Sequence, residues 1–250
     1  MRIAVAGGTG TVGRHVVDKA QEAGHEVVVL SRSQGVDVAG GAGLDEALSG
    51  VDAVIDVTNP DTIDREGASR FFTTVASGLQ RAGAQAGVRH IVTLSIVGID
   101  ETSFGYYQAK LDQERAAADG PVPHTIVRAT QLHELPAQLI GLTRQDSHAS
   151  VFDVRAQPVA ARTVAEVLVE AAEAAPAGRA PDLAGPGEAD LVDMARAFVE
   201  RRGLDIEVEP DTRTMSGVPP RALMPKDGAR IEGPTYEAWL ASQDAAALTV

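Results

Sequence analysis

A chain of 250 residues can bury a full core without a metal or a disulfide, as one large domain or one domain with a small appendage. It has no cysteine, which excludes disulfide scaffolds, thiolate zinc sites, iron–sulfur clusters and cysteine nucleophiles and suits a reducing compartment. A net charge of −13, from 35 acidic against 22 basic side chains, argues against a broad nucleic-acid surface but leaves room for a local basic pocket.

The first residues, MRIAVAGGTG, read as a strand and a turn rather than as the basic and apolar segments of a signal peptide. No apolar run approaches the roughly 18 residues of a membrane span, so a cytoplasmic protein without a membrane or nucleic-acid partner is expected. Residues 3–6 read as a buried strand, 12–23 as a helix turning Val12, Val16 and Ala20 to the core, and HEVVVL at 25–30 as a second strand. A short third strand is expected at 36–38 and a small helix at 44–48. Strands at 51–57, 88–95 and 124–128 then alternate with helices at 65–86 and 106–118. That alternation predicts an α/β fold with a mostly parallel sheet and helices on both faces.

Beyond residue 128 the pattern loosens. Helices are expected at 133–142, within 158–175, at 191–203 and at 235–240, with strands near 181–184 and 205–210. Residues 1–128 read as the α/β core. Residues 129–250 read as additions that form a substrate cleft and pack on that core as one unit.

The stretch GGTGTVG, residues 7–13, lies between the first strand and the first helix. There Gly7 makes the tight strand exit, Gly10 lets a pyrophosphate approach the backbone, and Gly13 lets the helix pack closely on the sheet. Thr9, Thr11 and the Val12 amide become pyrophosphate neighbours at the positive helix end. A Walker A loop is excluded because no Gly-Lys-Ser/Thr follows. The second strand ends in Ser31, Arg32 and Ser33 with no adjacent acid, so Arg32, with Arg14 facing it, suits a 2′-phosphate. NADP(H) is therefore preferred, with NAD(H) still compatible. Asp37 is a candidate for the adenine, and Thr58 and Asn59 in DVTNP for the adenosine or ribose path.

Ser95 ends VTLS, Tyr106 follows eleven residues later, and Lys110 lies one helical turn beyond it in YYQAK. An ammonium on that face would lower the phenol pKa. Tyr106 could then give a proton to an oxygen held by Ser95, with Lys110 on the nicotinamide ribose. No spacing among the histidines suggests a metal, and none is expected. Met215, Leu223 and Met224 are candidates for an apolar lid.

With GGTGTVG, LSRS, LSIVG, GYYQAK and VRATQLHE in place, the chain resembles the atypical short-chain dehydrogenases/reductases, and more narrowly the NmrA-like NAD(P)-binding reductases. The resemblance implies a Rossmann-type sheet with a small C-terminal substrate region, and it puts Ser95, Tyr106 and Lys110 on the family's serine, tyrosine and lysine. It also places Thr130, Gln131 and His133 at the nicotinamide end of the cleft. The implied function is NADPH-dependent hydride transfer to a small apolar or aromatic carbonyl, quinone or activated alkene. A non-catalytic NADP(H)-binding redox sensor and a sugar epimerase or dehydratase are the alternatives. An exposed helix pair leaves a homodimer open.

Overall fold

The computed structural model describes residues 1–219 and 221–243. In chain order, β1 (Arg2–Ala6), α1 (Thr11–Glu22), β2 (Glu26–Leu30), α2 (Leu44–Ala47), β3 (Ala53–Asp56), α3 (Arg65–Ala86), β4 (His90–Ile96), α4 (Gly105–Ala118) and β5 (His124–Ala129) form the first half. There follow α5 (Leu135–Thr143), β6 (His148–Phe152), β7 (Arg155–Ala156), α6 (Ala161–Glu173), β8 (Gly178–Arg179) and β9 (Leu183–Ala184). The chain then adds β10 (Ala189–Asp190), α7 (Leu191–Arg202), β11 (Glu207–Asp211), β12 (Arg230–Ile231) and α8 (Tyr236–Ser242).

The main sheet runs β12-β9-β5-β4-β3-β1-β2, with β8 also paired to β5, and every pairing in it is parallel. Its strands are apolar on both faces because both are covered. Ile3 and Val5 pack with Val16 of α1 and Leu168 of α6, whereas Ala4 and Ala6 pack on the side of Val75 and Leu79 of α3. α3 starts where the Asp64 carboxylate accepts the Gly67 amide at 2.8 Å, and it buries Phe72, Val75, Ala76 and Leu79 at helical spacing.

The expected strand at 36–38 does not form. A 3-10 turn over Arg32–Gln34 follows β2, and positive φ at Gly35, Gly41 and Gly43 folds the chain back. The Asp37 amide and carbonyl close this loop on Ala42 and Gly41, and Val36 is buried beneath it without a strand partner. The sheet therefore ends at β2.

Residues after 128 return to the sheet through α6, β8, β9 and β12. The remainder builds a second core in which Leu139, Ile140, Val151, Phe198, Val208 and Trp239 pack together, with β6 parallel to β11. Among the described residues no helix is long and apolar enough to cross a membrane.

Candidate functional site

β1 lies between β2 and β3, so the chain leaves it in opposite directions along the sheet, and the carboxyl ends of β1 and β3 border a crevice. The glycine loop fills one lip. Gly7 has φ +82°, and a Cβ there would lie 2.9 Å from the Val57 carbonyl oxygen just past β3. A Cβ on Gly13 would lie 2.0 Å from the Gly7 oxygen, so α1 sits against the loop at a distance only glycine permits. Gly10, the residue before α1, offers no side-chain cap, and the first turn carries no acid. The open amides and the dipole of α1 thus face the crevice, where bare backbone fits a pyrophosphate. Thr9 and Gly10 are exposed, whereas the Val12 side chain is buried and leaves only its amide to this lip. The Thr11 hydroxyl receives the Gln138 Nε2 at 2.6 Å.

Arg14 and Arg32 are both exposed and form no ion pair among the described residues, unlike most arginines of the chain. Ser31 and Ser33 share a hydrogen bond of 2.9 Å beside Arg32. Asp37 accepts the Ala39 amide at 3.2 Å, so its carboxylate is used within its own loop.

On the other lip, the Thr58 amide and hydroxyl both donate to Asp56 Oδ1, at 3.0 and 2.7 Å. The Tyr106 hydroxyl donates to Asn59 Oδ1 at 2.5 Å, which brings α4 to the end of β3. Its ring meets Phe72 edge-on at 5.8 Å. Burial pushes the phenol pKa up, keeping the proton on oxygen at neutral pH.

The expected lowering of that pKa by Lys110 is not found. The Lys110 ammonium is only 5 % exposed and donates instead to the Leu94 carbonyl at 2.7 Å and to Gln113 Oε1 at 2.5 Å. The Gln113 Nε2 passes the contact on to Asp56 Oδ2 at 2.9 Å, and the ammonium lies 4.6 Å from the Phe72 ring centroid. Desolvation lowers the Lys110 pKa to about 8, against the opposing pull of Asp56 and Glu114.

This shift has a signed consequence. Below about pH 8 Lys110 is charged in both folded and unfolded chains, and its burial costs stability. Between there and its ordinary 10.5, the folded chain sheds the proton first, so stability rises with pH. Denaturant unfolding of wild type and Lys110→Met should show the difference moving toward wild type by up to about 3 kcal/mol from pH 7 to 10.5. A pH-independent difference would contradict the buried ammonium.

Ser95 is 1 % exposed, and its hydroxyl has no hydrogen-bond partner among the described residues. Ser95, Tyr106 and Lys110 therefore stand at the carboxyl ends of β3 and β4 without bonding one another. The Thr130 hydroxyl donates to the Gln157 carbonyl at 2.6 Å and ties β5 to the C-terminal part. Gln131 is buried, and its Nε2 reaches the Tyr107 hydroxyl at 3.5 Å.

His133 packs with residues of the C-terminal core. Its Nε2 donates to the Pro158 carbonyl at 3.0 Å, and its ring packs against Tyr236 and Trp239. Desolvation lowers its pKa to about 4, so it is neutral. Glu134, not singled out by the sequence, accepts the Ala161 amide at the start of α6 through both carboxyl oxygens, and burial raises its pKa to about 7.

Tyr106 packs against an apolar cluster. Ile99, Tyr107, Met215 and Leu223 are its buried members, joined by Phe104, Phe152 and Val154. The loop carrying Met215 is tied down by the Thr102 hydroxyl, which donates to the Gly217 carbonyl at 3.2 Å. Met224 is also buried but stands outside that cluster. Two surface hollows, about 420 Å³ beside α7 and α8 and about 760 Å³ between α3 and α4, contain none of the crevice residues.

A parallel sheet with a reversal of strand order at a glycine cradle, and unpaired arginines beside it, defines a dinucleotide-binding α/β protein. A family model described as NAD(P)H-binding matches residues 7–175, and the chain belongs to that family. This agrees with the resemblance to atypical, NmrA-like short-chain reductases. A (4-alkanoyl-5-oxo-2,5-dihydrofuran-3-yl)methyl phosphate reductase of Streptomyces griseus is 35 % identical over 140 residues, covering 50 % of this chain and 46 % of that protein. The photosystem II assembly factor Ycf39 of a Synechocystis species is 35 % identical over 111 residues, covering 39 % and 34 %. The chain thus spans less than half the length of either relative. Among solved structures, a dTDP-4-dehydrorhamnose reductase of Clostridium acetobutylicum superposes with a TM-score of 0.73 at 17 % identity, over 96 % of this chain and 98 % of that one, which shows a shared fold.

Proposed function

We propose that the chain is an NADPH-dependent reductase of small apolar or aromatic carbonyls, quinones or activated alkenes, with Tyr106 as proton donor. The observation that carries this reading is the Tyr106–Asn59 bond, which fixes a protonated phenol at the end of β3, beside the glycine loop and against an apolar wall. When bound, NADPH supplies a hydride to the electrophilic carbon. For a carbonyl substrate, Tyr106 turns its O–H from Asn59 to the oxygen on which negative charge develops and gives up the proton, which solvent replaces. The carbonyl would leave as an alcohol, its new C–H from the hydride and its new O–H from Tyr106. Desolvation makes a bare phenolate costly, so proton return belongs to the same turnover.

The Gly7–Gly13 loop holds the pyrophosphate, with Ser31, Arg32 and Arg14 on the 2′-phosphate and Thr58 and Asn59 along the adenosine or ribose path. To serve the nicotinamide ribose, Lys110 exchanges its bond to the Leu94 carbonyl for a ribose hydroxyl while Gln113, itself bonded to Asp56, keeps hold of it. NADPH oxidation on a panel of apolar ketones, quinones and enones tests the activity. Arg32→Glu is expected to weaken NADPH more than NADH in fluorescence titration, and equal losses would remove the 2′-phosphate role.

A second reading is a non-catalytic NADP(H) sensor. The sealed Ser95 hydroxyl and the turned-away Lys110 support it, as does kinship with an assembly factor. NADPH binding without turnover on the whole panel would favour it.

A further inference from the structure

We infer that Gln138, on α5 and outside the glycine loop, is a cofactor-binding residue whose side-chain amide closes over the pyrophosphate. The inference rests on the dinucleotide site described above but not on any turnover. α5 packs mainly on β6 and α7, within the C-terminal core. Its one side-chain hydrogen bond to the glycine-loop region among the described residues is that of Gln138 Nε2 to Thr11 Oγ1, between residues 127 apart in sequence.

Thr11 is the first residue of α1, directly after Gly10, so this amide stands at the open end where the backbone N–H groups have no side-chain cap. A primary amide carries two N–H bonds. One is spent on Thr11, and the other has no acceptor among the described residues. It is a neutral donor poised beside an anion-binding helix end.

The same face of α5 explains why an amide suits this position. One turn earlier stands Glu134, a carboxylate that would repel phosphates, but both its oxygens are turned to the Ala161 amide. Arg14, in the first turns of α1, also favours that carboxylate electrostatically. The donor of Gln138 is thereby left facing the helix end while the acid is occupied elsewhere. Cofactor binding through Gln138 would tie the C-terminal region to the sheet at the point where the two meet across the crevice.

The test is titration of the full chain with NADPH, and separately with adenosine 2′-monophosphate, which keeps the 2′-phosphate but lacks the pyrophosphate. Wild type is compared with Gln138→Leu, Gln138→Glu and Gln138→Lys, each checked for an unchanged melting temperature. A hydrogen bond to a charged group implies an NADPH Kd raised about ten- to a hundredfold by Gln138→Leu. Gln138→Glu should lose more, Gln138→Lys should restore affinity, and adenosine 2′-monophosphate should bind all four alike. Unchanged NADPH affinity in Gln138→Leu, or equal weakening of both ligands, overturns the inference while leaving the cofactor site standing. Wild type that binds no NADPH removes both.

Discussion

Gly13→Ala is expected to raise the NADPH Kd more than a hundredfold, or to abolish binding, while lowering the melting temperature. The added methyl would meet the Gly7 oxygen at 2.0 Å and the Gly8 Cα at 2.7 Å, both backbone atoms that no rotamer change can move aside. Either α1 lifts from the sheet or the loop opens, and each displaces the amides that receive the phosphates. Overpacking of this kind costs about 1–3 kcal/mol. In a chain of this size that corresponds to roughly 3–10 °C. Thermal melts with and without saturating NADPH read both effects, because a ligand that binds only the folded chain raises its melting temperature. Wild-type stabilisation by NADPH should vanish in the variant. A Gly13→Ala chain stabilised as strongly as wild type would show that the close approach of α1 to the loop is not what makes the site.

The second large effect concerns the phenol. Tyr106→Phe should leave NADPH affinity within about twofold and cut turnover by about 10²–10⁴-fold, the usual worth of a positioned general acid. The ring stays to pack on Phe72, and only the bond to Asn59 is lost. Asn59 is exposed and can turn to water, so the stability cost should stay near 1 kcal/mol. Steady-state rates on a responsive substrate, together with NADPH fluorescence titration, separate the two quantities. Unchanged turnover would remove Tyr106 from the chemistry. A loss of NADPH affinity as large as the loss of rate would recast the hydroxyl as a cofactor support.

The Gly7–Gly13 loop and the strand–helix alternation were legible because their signals are local. A glycine spacing marks a steric demand within one turn, and apolar periodicity marks which face of an element is buried. The expected strand at 36–38 shows where local reading fails: Val36 and Val38 have strand-like character, but glycines at 35, 41 and 43 turn the chain before a neighbour can pair with it. HASVF at 148–152 is the reverse case, a strand that exists because Glu207–Asp211 lies alongside it.

The site divides in the same way. Helical spacing was enough to put Tyr106 and Lys110 one turn apart, but it said nothing of where each side chain finds a partner. Tertiary packing sent the Lys110 ammonium to Leu94 and Gln113, buried the Ser95 hydroxyl without a partner among the described residues, drew His133 into an aromatic cluster and brought Gln138 across to Thr11. The amino-acid sequence by itself determined the α/β architecture and the dinucleotide cradle, since both follow from backbone sterics and periodicity over a few residues. Which polar groups face one another was decided only when separate elements were packed together, 16 residues apart for Lys110 and Leu94 and 127 for Gln138 and Thr11, because a hydrogen bond depends on distances that no local pattern encodes.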